Sequence, residues 1–148
     1  MGNRCVITTK DKKVGVYLHW NGGRDSVEGF LKYCKLQGFR SPDKDDYGWA
    51  RLCQVIANFF GGGGLSVGID EYYKLDTDNG DNGVYIIENW EIVDREYFDG
   101  IEQQNYDLVE MLVAIDDSQP IGMRFIDADV LDAEEKKNII KKEVLGRE

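Results

Sequence analysis

Between residues 14 and 34 the apolar side chains change their period once, and that change dictates what the first third of the chain can fold into. Val14, Val16, Leu18 and Trp20 recur at every second position, the spacing of a strand with one buried face, which leaves Lys13, Gly15, Tyr17 and His19 on the other face. From Val27 the spacing becomes i, i+3, i+4, i+7 through Phe30, Leu31 and Cys34, the stripe of a half-buried helix. A strand must therefore end, turn and become a helix within His19-Trp20-Asn21-Gly22-Gly23-Arg24. The helix is expected to begin at Asp25 or Ser26, because Asp25 and Glu28 have the spacing of a capping box with Asp in place of Ser or Thr.

The same arguments extend along the chain. Cys5 to Thr9 is β-branched and pairs naturally with residues 13–20 as a hairpin turned by Lys10-Asp11-Lys12. A second helix is expected from Tyr47 to Phe60, with Trp49, Leu52, Cys53 and Ile56 inward. It is ended by Gly61 to Gly64, four glycines whose ordering costs much backbone entropy, so that the loop is either mobile or closely approached. Residues 65–69 read as a short strand. Residues 71–98 read as strands around an Asp/Asn/Gly-rich turn, with Asn82-Gly83 as the hairpin signal and Val84 to Glu88 and Glu91 to Arg95 as the following strands. A third helix is expected over 102–116, with Leu108, Met111, Leu112 and Ile115 inward and Glu102, Asp107, Glu110 and Asp117 on its outer arc. Residues 121–126 suggest a last short strand. The segment from Leu131 onward is a terminal helix, acidic first and basic last as the helix dipole favours. Being sparse in apolar residues, it is expected to pack loosely or to meet a partner, a second copy included.

These elements lack regular β-α-β alternation, repeats or a linker. They predict one α+β domain over residues 1–148: an N-terminal β-hairpin and a mixed or antiparallel sheet, packed by two central helices and two C-terminal helices, with 131–148 peripheral.

Charge narrows the partners. The net charge is −10, and it is unevenly spread: residues 1–50 carry nine Lys/Arg against six Asp/Glu, whereas residues 51–148 carry nine against twenty-two. Such a surface repels phosphate backbones, which argues against direct nucleic-acid binding and for attraction to a basic protein groove. The three cysteines form no CxxC pair, and Cys34 and Cys53 fall on apolar helix faces, as reduced buried thiols do. No signal peptide opens the sequence and no apolar run nears the roughly 20 residues of a membrane span, so a cytoplasmic protein without a membrane is expected. The opening Met-Gly-Asn-Arg-Cys-Val lacks the Ser or Thr that an acylation signal needs where Val6 stands.

The chemistry-bearing candidates are few. At the turn, Gly22 and Gly23 allow close backbone approach, Arg24 supplies a planar fork of donors, and His19 and Trp20 could meet a base or ring, with Arg51 as a further cation; together they form a candidate site for a small anionic or nucleotide ligand. Neither a GxGxxG nor a P-loop pattern completes it. Glu102, Asp107, Glu110 and Asp117 are candidate partner-binding carboxylates, a row able to imitate the charge track of a nucleic acid before a basic protein. The run from Asp76 to Gly83 fails the register of a calcium loop, so no metal site is assigned, and no cofactor is implied. His19 is the sole histidine, so a thiol enzyme would need it beside Cys5 or Cys34. Carboxylate pairs such as Glu88 with Glu91 or Asp94 are not singled out by spacing, and no catalytic residue is assigned.

The blocks Val14 to Leu31, Tyr47 to Gly62 and Asp81 to Glu96 resemble a group of small acidic proteins that recur in bacterial phages and mobile elements. That group has no assigned activity, so the resemblance transfers no catalytic residue. Small acidic phage proteins are often stoichiometric inhibitors of host defence, anti-CRISPR and anti-restriction proteins among them, and some sequester nucleotide signals. The resemblance therefore implies a non-enzymatic inhibitor, acting by an acidic surface on a basic nucleic-acid-binding protein or by enclosing a small anion at the His19 to Arg24 turn. A cytosolic thiol or carboxylate enzyme is the remaining alternative.

Overall fold

A computed structural model describes residues 2–61, 66–126 and 133–146. Five strands form one sheet: β1 (Cys5–Thr8), β2 (Val14–Leu18), β3 (Val67–Glu71), β4 (Val84–Glu88) and β5 (Glu91–Glu96), in the spatial order β3-β2-β1-β4-β5. All neighbours are antiparallel except β1 and β4, which run parallel with Val6 opposite Val84. The helices are α1 (Arg24–Leu36), α2 (Asp46–Phe60), α3 (Leu108–Ser118) and α4 (Ala133–Gly146). The fold is therefore the expected single α+β domain with a mixed sheet and four helices.

Strand alternation decides the layers. Cys5, Ile7, Val16, Leu18, Tyr85 and Ile87 point to one face and form the main core with Val27, Phe30, Leu31 and Cys34 of α1, Trp49, Leu52 and Ile56 of α2, and Met111, Leu112 and Ile115 of α3. Every one of these is buried, and removing such surface from water at about 25 cal/mol per Å² is the main force that orders the helix layer. On the other face Val6, Val84 and Ile86 make a smaller cluster, covered by Tyr17, Tyr72 and Leu75. Trp20, expected inside, is 48% exposed because the chain leaves the strand before it.

Several local expectations change. Helix α1 begins at Arg24, one residue early, with Gly23 as its cap. Asp25 does not close a capping box; its carboxylate accepts instead from the backbone of Ser26, Asn105 and Tyr106. Asn82-Gly83 is not a hairpin turn. Asn79 builds that loop from inside, accepting from Asp81 N and Gly83 N at 3.0 Å each, and Gly83 (φ +64°) enters β4 with its Cα pressed against the carbonyls of Glu96 and Tyr97. The tight turn is Asn89-Trp90, both at positive φ (52° and 65°), the signature of a type I′ hairpin. Trp90 tolerates it because its indole is buried and donates to Phe39 O at 2.8 Å. Tyr72 to Lys74 is a 3-10 turn, not strand, and residues 121–126 form turns.

Helix α3 starts at Leu108, six residues later than expected, because Asp107 caps it through Glu110 N. Helix α4 lies against α3, burying Ile140 and Val144 and setting Lys136 against the fully buried Asp116 at 2.8 Å. The expectation about Gly62 to Gly64 lies outside the described residues. No described helix is long and apolar enough to cross a membrane.

Candidate functional site

The turn between β2 and α1 reads from its sequence either as a plain strand–turn–helix corner or as a corner that also binds an anion, and its close backbone approach is real. What approaches is the chain itself. Gly22 N donates to Asn3 O at 2.8 Å, Gly22 O accepts from the Tyr85 hydroxyl at 2.7 Å, and a side chain at either glycine would run into Asn3 or Gln103. His19 lies on the helix-free side of β2, its Nδ1 3.0 Å from the Tyr17 hydroxyl, with Trp20 edge-on to its ring. Gln103 belongs to an irregular segment, residues 97–107, that crosses the turn on its way from β5 to α3.

Arg24 ties this corner to two carboxylates. Its Nε meets Glu28 at 2.7 Å and its Nη1 meets Glu102 Oε2 at 2.8 Å. The second oxygen of Glu102 is taken by Arg95 of β5. Arg95 was not expected here. It occupies a helix-side register position, opposite Tyr85, and its guanidinium is sandwiched between the rings of Tyr85 (4.0 Å) and Phe98 (3.9 Å) while Nη2 donates to Asn82 O at 2.7 Å. Its Nε is buried and has no acceptor. Partial burial works to raise the Glu102 pKa, but the hydrogen bonds from Arg95 and Arg24 outweigh it and hold the carboxyl below its ordinary range. Alternation counted from the inward Ile92 sets Arg95 on the opposite face, and it is the register shift in the β4–β5 pairing that turns it toward the helices.

Beside Arg24, a groove of about 480 Å³ opens between α1 and the start of β5, within the size range of ligand pockets. Its lining is mixed: Leu31, Ile92, Val93 and Leu108 are apolar, Glu28 and Glu91 bring carboxylates, and Lys32 forms no ion pair among the described residues. Among the described residues β5 is an edge strand of the sheet.

The other candidates are distributed elsewhere. Arg51 belongs to a separate cluster on α2, where it stacks 4.1 Å over Tyr47 and donates to Gln54. The four carboxylates expected in a row are each engaged: Glu102 by two arginines, Asp107 as a helix cap, Glu110 by Lys137 at 3.3 Å and Asp117 by Lys136 at 2.6 Å. The acidic excess lies instead around the helix-free face of the sheet. There Arg4, Lys12 and Lys74 are tied to Asp76 and Asp81, Glu96 and Glu71, while Asp70, Asp78 and Asp94 are exposed and have no cation partner among the described residues. Asp70 and Asp94 lie on β3 and β5, the two outer strands of the sheet, and Tyr73, 77% exposed, stands near Asp70.

Burial pushes the thiols of Cys5, Cys34 and Cys53 up, the reverse of an activated thiolate, and Cys5 faces the helices whereas His19 faces away from them. Among the described residues no three or more His, Cys, Asp or Glu side chains converge as metal ligands. Compared with protein-family models, curated proteins and solved structures, the chain finds no match.

Proposed function

We propose that this chain is a non-enzymatic binding protein that docks its acidic, helix-free sheet face on a basic, nucleic-acid-binding partner and blocks it, in the manner of a phage or mobile-element inhibitor of host defence. The observation that carries the reading is the placement of charge. On that side Arg4, Lys12 and Lys74 are each tied to carboxylates of the chain, so that the exposed Lys13 alone is left against Asp70, Asp78 and Asp94 among the described residues, with the exposed ring of Tyr73 near Asp70. Carboxylates steer a basic partner into encounter and an exposed tyrosine supplies contact area at low entropic cost. The row on α3 has a smaller part in this reading than its sequence suggested, because α4 and the chain's own cations occupy it.

The test is inhibition of DNA binding by a panel of purified restriction and RNA-guided nucleases across a salt series. Inhibition should weaken as salt rises, and the combined Asp70→Lys, Asp78→Lys, Asp94→Lys variant should lose it while Glu110→Lys keeps it. Inhibition that the triple reversal leaves intact at every salt concentration, or none toward any nuclease of the panel, would sink the proposal.

A further inference from the structure

We propose that Arg24 and Arg95 form an oxyanion-binding site whose resident occupant is the chain's own Glu102, and that an external oxyanion carried on an apolar body can take its place, head on the two guanidinium groups and body in the adjacent groove. This site is independent of the acidic face.

Three observations carry it. First, two arginines from different elements converge on the two oxygens of one carboxylate, which is the geometry of recognition of a carboxylate or phosphate. Arg95 is held in place by the rings of Tyr85 and Phe98 and by its Nη2 bond to Asn82 O at 2.7 Å. Second, the occupant arrives on a segment with little to hold it. Residues 97–107 have no regular structure, and Ile101 is 93% exposed. The segment is fixed chiefly by polar contacts, namely Glu102 itself, Asn3 to Gln103 at 3.0 Å, and Asn105 and Tyr106 to Asp25. Segments with few buried apolar contacts open at low free energy. Third, Arg24 lines both the carboxylate site and the groove, where Leu31, Ile92, Val93 and Leu108 offer apolar surface between the flanking carboxylates of Glu28 and Glu91. An anion with a hydrophobic body would therefore satisfy both at once, whereas Glu102 brings only the charge.

A tethered carboxylate competes at an effective concentration of order millimolar, so wild type should bind such ligands weakly and its plug-free variant well. The experiment is a titration of wild type and Glu102→Ala with phenyl phosphate, phenylacetate and inorganic phosphate at constant ionic strength, read by calorimetry and thermal shift. Glu102→Ala should bind at least one of the two phenyl compounds saturably, at least tenfold tighter than wild type does and tighter than it binds inorganic phosphate. Which phenyl compound binds better tells phosphate from carboxylate as the natural head group. Adding Arg24→Gln to Glu102→Ala should abolish the gain. No tenfold gain, a gain that survives Arg24→Gln, or equal affinity for inorganic phosphate and the phenyl compounds would overturn the proposal. Should Glu102→Ala fail to fold, Glu102→Gln, which keeps the side-chain volume, is titrated in its place under the same criteria.

Discussion

Replacing Asp116 by asparagine removes one charge and one acceptor from the middle of the helix layer, where both have consequences. The side chain is fully buried. Its Oδ1 accepts from the Tyr33 hydroxyl at 2.5 Å and Phe125 N at 2.6 Å, and its Oδ2 accepts from Ile126 N at 3.1 Å and pairs with Lys136 at 2.8 Å. An amide has one acceptor oxygen, so whichever way it is turned, its NH2 group faces donors that the carboxylate had satisfied. Orphaning a buried donor costs about 1–3 kcal/mol. Lys136, itself buried, is left with only Asp117, whose carboxylate is largely exposed, and breaking a buried pair adds to the loss. We expect Asp116→Asn to cost about 2–4 kcal/mol, a large share of the roughly 5–15 kcal/mol that stabilises a domain, and to lower Tm by roughly 5–15 °C. Urea unfolding followed by circular dichroism reads the midpoint, and an unchanged slope shows that the native state remains intact. Lys136→Met in the same background should cost less than the single changes suggest, by about 1–3 kcal/mol, because the charge left stranded is then gone. An Asp116→Asn protein within about 0.5 kcal/mol of wild type, the range of neutral surface changes, would refute the reasoning that this carboxylate holds α1, α3, α4 and residues 125–126 together.

Three further outcomes follow from the same geometry. Glu102 has its pKa lowered in the folded state, so its contribution is present above the ordinary carboxyl range and is lost as pH falls through the folded value; the urea midpoints of wild type and Glu102→Gln should differ most at pH 7 and draw together as pH falls below the ordinary carboxyl range. Gly83→Ala should destabilise by about 2–4 kcal/mol, measured by urea unfolding, because it combines a positive φ with a Cβ driven into the carbonyls of Glu96 and Tyr97. A disulfide dye at pH 8 should react first, and slowly, at the half-buried Cys53, with Cys5 and Cys34 labelled only on unfolding, since burial excludes the reagent and raises each thiol's pKa.

Periodic information was legible in the sequence and long-range information was not. Val27, Phe30, Leu31 and Cys34, and likewise Trp49, Leu52 and Ile56, are inward as their spacing requires, and β2 alternates as read, with Val16 and Leu18 inside and Tyr17 and His19 opposite. Failures arose where one residue served two demands. Asn82-Gly83 has hairpin composition, but Asn82 is spent on Asn3 and Arg4, and the true turn uses Trp90, a residue whose burial outweighs its poor turn propensity. Glu102 fits a helix wheel, yet two arginines claim it before the helix begins. The candidate site was thus half visible: Gly22, Gly23 and Arg24 announce a close approach, while the occupant comes from residues 102 and 103, which no local spacing connects to them.

The position of β1 has a consequence for how the chain is made. Its hairpin with β2 closes a loop of about seven residues, whereas its parallel pairing with β4, Val6 opposite Val84, closes one of about 80; by the logarithmic law for loop entropy the second costs about 2 kcal/mol more. On the ribosome the hairpin can form early, but the partner for its second edge has not yet been synthesised. At roughly 5–20 residues per second that interval lasts about 4–15 s. Helices α1 and α2 emerge within it and can cover the apolar face of the hairpin, but no helix supplies the backbone donors and acceptors of a strand edge. The strand destined for the centre of the sheet therefore spends seconds as an outer one, open to any passing strand.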